Sequence, residues 1–512
     1  MNDILATSAT RRDTLQRLLG AGALALPGVT LPLGARADEA TARAFESQRA
    51  AHPWTQAYVG VQADVAAMPM TLHGKLPTGL HGAFLRNGPA RHALGGTRYH
   101  HWFDGDGLMQ RYTLGAQGIT HEGRFVRTEK FVADTAAGRP MSSGFGTFLA
   151  DAKPPTGPDS LNTANTSVVK HAGELMALWE GGSAYRLDEK TLETRGIKTW
   201  SPDFAGVPFS AHPRIEPDGT LWNFGVSAMA GRLAIYRVRP DGVLATATTL
   251  PVPDIAMVHD FAVTEKHLVF LLPPLVFDVA RMKSGTSFLD AHVWKPQLGL
   301  RVLVLPKDAL DKPQWFDLPA GFVFHIGNAW EDKDGVIRLD CMRASDAWNA
   351  TTGLKELMRG HFAIEEFAQL TLIEVDLKAK RARQQVLPQR SEFPRIDPRY
   401  TGRRHQQVFA ALRLSPGDRP GYDAVMRHDI GRGQTDHYRY GADVMVEEHL
   451  FVPRPGSTRE GDGWVLGSAL DLARGRTLFS VFEAQRLADG PVAQAEMPRL
   501  MPFGLHAIHV PA

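Results

Sequence analysis

Cysteine is all but missing from this chain: Cys341 is the only one in 512 residues. An internal disulfide is excluded, and so is a metal cluster built on several thiolates. A single thiol of this kind reads as a small buried hydrophobe. An excess of one charge is missing too. Lys and Arg number 57 against 55 Asp and Glu, a formal net charge of +2. With no basic stripe interleaved with aromatics, nucleic acid is not an expected partner. No apolar run is long enough for a comfortable membrane span. No Ser/Gly/Pro linker, charge block or low-complexity tract breaks the chain after residue 50, so a length beyond the usual single domain offers no place to cut it. Helical periodicity is scarce and is confined to residues 41–51 and 354–359.

What the chain has in quantity is apolar residues (43%, with 25 Phe) arranged as short strands between turns. Turn signals fall at Pro217-Asp218-Gly219, Pro240-Asp241-Gly242, Asp334-Gly335 and Asp462-Gly463. Each lies beside a run of strand formers. Many short strands without a linker predict an all-β chain, and the pattern alone leaves a propeller and a pair of sandwiches both open.

The first 37 residues differ from the rest. Thr10-Arg11-Arg12-Asp13-Thr14-Leu15 precedes a mildly apolar, Gly- and Ala-rich run, and Ala35-Arg36-Ala37 supplies small residues where a signal peptidase reads. This is the pattern of a twin-arginine signal peptide over residues 1–37. It predicts export to the periplasm in folded form and a mature domain over residues 38–512. The alternative is a disordered N-terminal tail.

Four of the 20 histidines stand in distinctive local sequences. They are Ser-Ala-His212-Pro-Arg-Ile-Glu-Pro-Asp-Gly, Met-Val-His259-Asp-Phe-Ala-Val-Thr, Phe-His325-Ile-Gly-Asn-Ala-Trp-Glu and Pro-Phe-Gly-Leu-His506-Ala. Their intervals of 47, 66 and 181 residues match no helix-borne metal motif. Taken with Trp102-Phe-Asp-Gly-Asp-Gly-Leu-Met109, these motifs resemble the carotenoid cleavage oxygenase family from about residue 79 to residue 510.

The resemblance implies a seven-bladed β-propeller with a cap of loops and short helices over an iron-bearing axis. One Fe(II) would be held by His212, His259, His325 and His506, with dioxygen as co-substrate. Four neutral imidazoles suit iron and leave it without an anionic ligand. Carboxylates are then wanted on the far ring nitrogens, and the family pattern places them at Glu180, Glu392 and Glu448. Glu448 is chosen over the adjacent Glu447 because it precedes Leu-Phe-Val at the family's offset. His509 is read as a bystander, since strand positions three apart face opposite ways. His267 and His449 are read as surface residues, and Gly105 and Gly107 as a tight turn. No Gly-rich phosphate loop sits between a strand and a helix, so no organic cofactor is expected.

The implied reaction is oxidative cleavage of one C=C bond into two carbonyl products. The expected substrate is an apolar carotenoid or apocarotenoid, because Leu175-Met-Ala-Leu-Trp-Glu-Gly-Gly182 is closer to that branch. A stilbene of the lignostilbene or resveratrol type is the alternative. In the stilbene branch a tyrosine and a lysine grip the phenol, and Tyr99 and Lys130 lie near the corresponding places. Otherwise Tyr99 is a packed aromatic and Lys130 an exposed strand residue. The apolar segment from Leu271 to Phe277 is an expected peripheral membrane contact, with a buried cap segment as its alternative. A metal-free propeller acting as a binding module is the remaining reading.

Overall fold

The computed structural model describes residues 34–362, 366–417 and 419–512. The expected signal peptide therefore lies almost wholly outside the described residues. The all-β class holds, with 44% strand against 14% helix. Antiparallel meanders follow one another in chain order. Four-stranded sheets run from Ser167–His171 to Thr194–Ile197, from Arg214–Ile215 to Leu244–Pro251, and from Phe261–Val263 to Gln314–Leu318. A seven-stranded sheet then extends from Phe322–Glu331 to Gln434–Arg439.

Two further sheets combine both ends of the chain. The C-terminal strand Ala507–Val510 joins the sheet of Gly82–Arg86 and Asp106–Gly115, and the early strand Thr71–Gly74 pairs with Ala493–Met497. Three of the four expected turns are built as the sequence suggests. Gly219, Gly242 and Gly335 take φ values of 87°, 82° and 82°, which only glycine adopts without strain. The Asp218 carboxylate accepts from Thr220 N at 2.8 Å, and Asp241 does the same for Val243. At the fourth, the left-handed residue is Gly461 and Gly463 already begins a strand.

Central strands are covered on both faces by neighbouring sheets, and so they show unbroken apolar runs in place of alternation. His267–Leu272 is buried at every position. Between two of the four-stranded sheets, Phe224, Ile235, Phe261 and Phe270 form one core cluster. The segment from Leu271 to Phe277 belongs to the same packing: Leu271, Leu272, Leu275, Val276 and Phe277 are all buried, as its reading as a buried cap segment has it. Cys341 is likewise fully buried, as expected for a small hydrophobe.

Helices are few. The expected N-terminal one spans Gly34–Gln48, and the second spans Leu354–Met358, preceded by a wider turn at Asn349–Gly353. Glu129–Ala137 is a helix that periodicity missed, although both its caps are written in the sequence. The Thr128 side chain accepts from Phe131 N, and Gly138 closes the helix in the left-handed region. Lys130 is therefore a buried helical residue, not an exposed strand residue.

Two other readings change, and a third holds in part. His267 is buried and its Nδ1 lies 2.9 Å from Glu331, while His449 is fully buried with Nε2 2.9 Å from the Tyr440 hydroxyl. Neither is a surface residue. Gly105 does close a tight turn, its N–H bonding the Trp102 carbonyl at 3.4 Å, whereas Gly107 already lies in a strand. They permit close approach: a Cβ on Gly107 would fall 2.3 Å from the Ala164 carbonyl oxygen, and one on Gly105 2.7 Å from His92 Nδ1.

Candidate metal centre

The four histidines predicted as ligands converge. His212, His259 and His506 each stand at the entrance to the first or last strand of a sheet, and His325 lies inside Phe322–Glu331. Nε2 of His259 lies 2.9 Å from that of His212 and 3.2 Å from that of His325, and 3.1 Å separates His325 from His506. All four ligand atoms fall within 4.8 Å of one another. Imidazole nitrogens bonded at about 2.1 Å and at right angles around one metal ion stand about 3.0 Å apart. The spacing thus fits a single ion.

Which nitrogen faces the centre is fixed by the opposite side of each ring. Glu180 Oε1 lies 2.6 Å from His259 Nδ1, Glu392 Oε2 lies 2.5 Å from His325 Nδ1, and Glu448 Oε1 lies 2.8 Å from His506 Nδ1. A carboxylate can only accept, so Nδ1 carries the proton and Nε2 turns its lone pair inward. Among the described residues His212 is the one ligand without such a carboxylate. Burial moves His506 down to about 4 against the pull of Glu448, so its ring is neutral and able to bind a metal. Burial and the three neighbouring ligand rings hold His212 well below its ordinary value. At His259, burial acts in the same direction, but the Glu180 carboxylate outweighs it.

The neighbouring pair Glu447 and Glu448 divide their work as alternation along a strand requires. Glu448 takes His506, the Ala507 N–H at 2.7 Å, and two bonds from Arg395 at 2.8 Å. Although buried, it stays well below the usual carboxylate range because Arg395 and His506 face it. Glu447 points the other way, to Arg86 at 2.7 Å and to the Gly504 N–H at 2.6 Å. His509 is turned away and bonds the His81 carbonyl at 3.0 Å.

His259, His325 and His506 border a cavity of about 2240 Å3. Its walls are largely apolar and include Phe103, Phe145, Phe288, Phe324 and Phe393. The Phe324 ring lies 5.2 Å from that of His259, and the Phe393 ring 5.5 Å from that of His325. Phe393 sits at φ 58°, an unusual backbone for a bulky side chain. Its own N–H donates at 2.6 Å to the Glu392 oxygen that also serves His325.

Tyr99 and Lys130 meet each other outside this cavity. Lys130 Nζ donates to the Tyr99 hydroxyl at 2.7 Å and to Asp134 at 2.8 Å, and stands 3.3 Å from Asp106. Arg91 holds the other Asp106 oxygen at 2.7 Å. Two cations and two carboxylates are thus balanced in a closed cluster. Burial raises the Tyr99 phenol and keeps it protonated despite Lys130. Tyr99 is 0% and Lys130 2% exposed, so in this conformation neither presents a surface to a ligand in the cavity.

Arg214 and Asp260 stand inside two of the histidine motifs without being singled out there, and Arg395 lies outside all of them. Each bonds to backbone atoms beside a ligand histidine that is dozens of residues away in sequence.

Four histidine nitrogens gathered around one point, three of them bordering an apolar cavity, fit the centre of a non-haem iron oxygenase. The chain belongs to the carotenoid cleavage oxygenase family, matching the family described as retinal pigment epithelial membrane protein over residues 59–511. It is 31% identical to resveratrol cleavage oxygenase 1 of Aspergillus fumigatus, over 88% of this chain and 92% of that one. To the apocarotenoid-15,15'-oxygenase of Synechocystis it is 29% identical, over 90% and 97%. The solved structure of cobalt-substituted apocarotenoid oxygenase from Synechocystis superposes with a TM-score of 0.81 at 26% identity, covering 90% of this chain and 98% of that one. The lignostilbene dioxygenase of Pseudomonas brassicacearum gives 0.78 at 28%, covering 89% and 98%. The chain is an Fe(II)-dependent, alkene-cleaving dioxygenase that uses O2 as co-substrate.

Replacing any one of the four histidines by Ala should release iron and abolish turnover, while His509→Ala leaves both unchanged. Glu448→Gln should weaken iron binding by roughly 10- to 100-fold. Glu447→Gln should instead show its main effect as a lowered melting temperature, because it strips a buried arginine of its partner. Metal analysis and thermal denaturation of the purified variants check both.

Proposed function

We propose that the substrate is a long, apolar polyene of the apocarotenoid type, cut at one double bond. The observation that carries this reading is the cavity. Its volume of about 2240 Å3 is well beyond the roughly 300–1,000 Å3 of an ordinary ligand site, and its lining is largely apolar. Iron bound by the four histidines supplies the chemistry: one C=C bond is broken, and each carbon takes one oxygen atom of O2 to become a carbonyl. The protein's contribution is placement. Phe324 and Phe393 stand beside the ligand rings and exclude water, and the remaining wall aligns a rigid chain so that one bond lies at the metal.

A 4-hydroxystilbene is the second reading. Resveratrol cleavage and lignostilbene dioxygenases among the relatives favour it, as does the meeting of Tyr99 with Lys130 at 2.7 Å. Against it, the Lys130 ammonium is already neutralised by Asp106 and Asp134, and its cluster is sealed from the cavity.

We also propose that the sheets are the blades of a seven-bladed propeller. The long strand Arg381–Arg395 pairs with one neighbour through residues 381–390 and with another through 391–395. The seven-stranded sheet therefore counts as two blades, and pairing of the chain ends with other strands would close the ring. The twin-arginine motif supports export of residues 38–512 to the periplasm as one domain.

Two experiments test these proposals. Resveratrol and an apocarotenal are assayed side by side, with product masses. The account expects two shorter carbonyl products from the apocarotenal and tolerance of Tyr99→Phe. Cleavage of resveratrol alone, lost in Tyr99→Phe and Lys130→Met through kcat, would contradict it. Export is tested by cell fractionation: Arg11→Lys with Arg12→Lys should strand the protein in the cytoplasm, and an unchanged distribution rejects the signal.

A further inference from the structure

We propose that Arg214 and Asp260 are positioning residues of the iron centre, a single charged brace that sets the spacing of three of its four ligands. The brace touches no substrate and no metal. It acts on the backbone beside the ligands.

The chain path shows why one is needed. His212, His259 and His325 belong to three different sheets, so no common hydrogen-bond ladder fixes their mutual distance. The strand that carries His325 is also irregular. Its pairing with Val336–Ala344 slips between Val323 and Ile326 and again between Ile326 and Ala329. A bulge leaves backbone groups without ladder partners, and buried groups of that kind must be satisfied elsewhere.

Arg214 stands two residues after His212 and reaches the other two segments. Its Nε donates to the Phe261 carbonyl at 2.8 Å. Nη1 donates to the Gly327 carbonyl at 3.1 Å, and Nη2 to the Ile326 carbonyl at 2.7 Å. Nη2 also pairs with both oxygens of Asp260, at 2.8 and 2.7 Å. Asp260, next to His259 in sequence, accepts from Ile326 N at 2.8 Å and from Phe261 N at 2.7 Å. Ile326 immediately follows His325. Every bond of this network therefore ends within two residues of a ligand, and those to Ile326 and Gly327 fall on the stretch where the bulges free the backbone.

The spacing it sets is close. Nε2 of His259 lies 2.9 Å from that of His212 and 3.2 Å from that of His325, and three rings on separate sheets keep that approach only if their backbones are tied to one another. The planar, five-donor guanidinium suits the task, since a lysine cannot reach the same set of acceptors. His506 is held separately, by Glu448 and Arg395, so the brace spans three ligands and not four.

The test uses metal alone and is independent of the substrate reading. Arg214→Met with Asp260→Asn removes both charges together, so no lone buried charge is left, and the Asn oxygen still accepts from Ile326 N. The double variant should fold with native circular dichroism. It should surrender Fe(II) to a ferrous chelator roughly 10- to 100-fold faster than the parent, in line with the usual loss of an outer partner. After loading with Co(II), its visible absorption should depart from that of the parent. Arg214→Lys, which keeps the charge but not the reach, should fall between the two. A folded double variant with the parent's release rate and cobalt spectrum would overturn the proposal. So would a double variant that does not fold beside an Arg214→Lys variant with parental metal release, since the pair would then serve the fold alone.

Discussion

The site depends on one close approach, that of four imidazole nitrogens to a common point. Four imidazole nitrogens are held with neighbours 2.9–3.2 Å apart, and only a cation among them makes that spacing comfortable. The three glutamates behind the rings do two things at once. They fix the tautomer that presents a lone pair, and they place negative charge close enough to favour the cation without occupying its coordination positions. Iron so held carries no anionic ligand and faces a largely apolar cavity.

The fold accommodates this by bringing the beginnings and ends of sheets together. Meanders packed face to face bury their central strands on both sides, and the ligands stand at strand entrances or, for His325, at an irregular stretch. Regular pairing could not aim four rings at one point. Bulges, a left-handed Phe393 and charged braces take over where the ladders stop, and the sheets behind them supply the rigidity.

Much of the centre could be read in the sequence because its residues sit in motifs. His506 was separable from His509, and Glu448 from Glu447, by local pattern and strand alternation. The all-β class followed from turn chemistry at Gly219, Gly242 and Gly335. Motifs do not describe what crosses between sheets. Arg214 finds its partners 46, 47, 112 and 113 residues away, mostly on backbone atoms that any residue would supply. Burial is also hidden: His267, His449 and Lys130 read as exposed by type, and tertiary partners bury them, while the segment from Leu271 to Phe277 leaves a lipid contact and a buried position both open. The helix at Glu129–Ala137 was legible at its caps and was missed because its interior lacks a clear apolar stripe.

The same separation limits the substrate. Metal chemistry depends on a few fixed atoms, whereas selection among alkenes depends on the shape of a large cavity contributed by many segments. Tyr99 and Lys130 illustrate this, since their pairing was foreseeable and their enclosure by Asp106 and Asp134 was not. The central claim, that four histidines alone hold the iron and the glutamates stay one shell out, is tested most directly by X-ray absorption at the iron edge of protein loaded with one Fe(II). The account predicts four imidazole ligands and no carboxylate from the protein bound to the metal. A carboxylate oxygen from Glu180, Glu392 or Glu448 on the iron, with a histidine displaced, would contradict it.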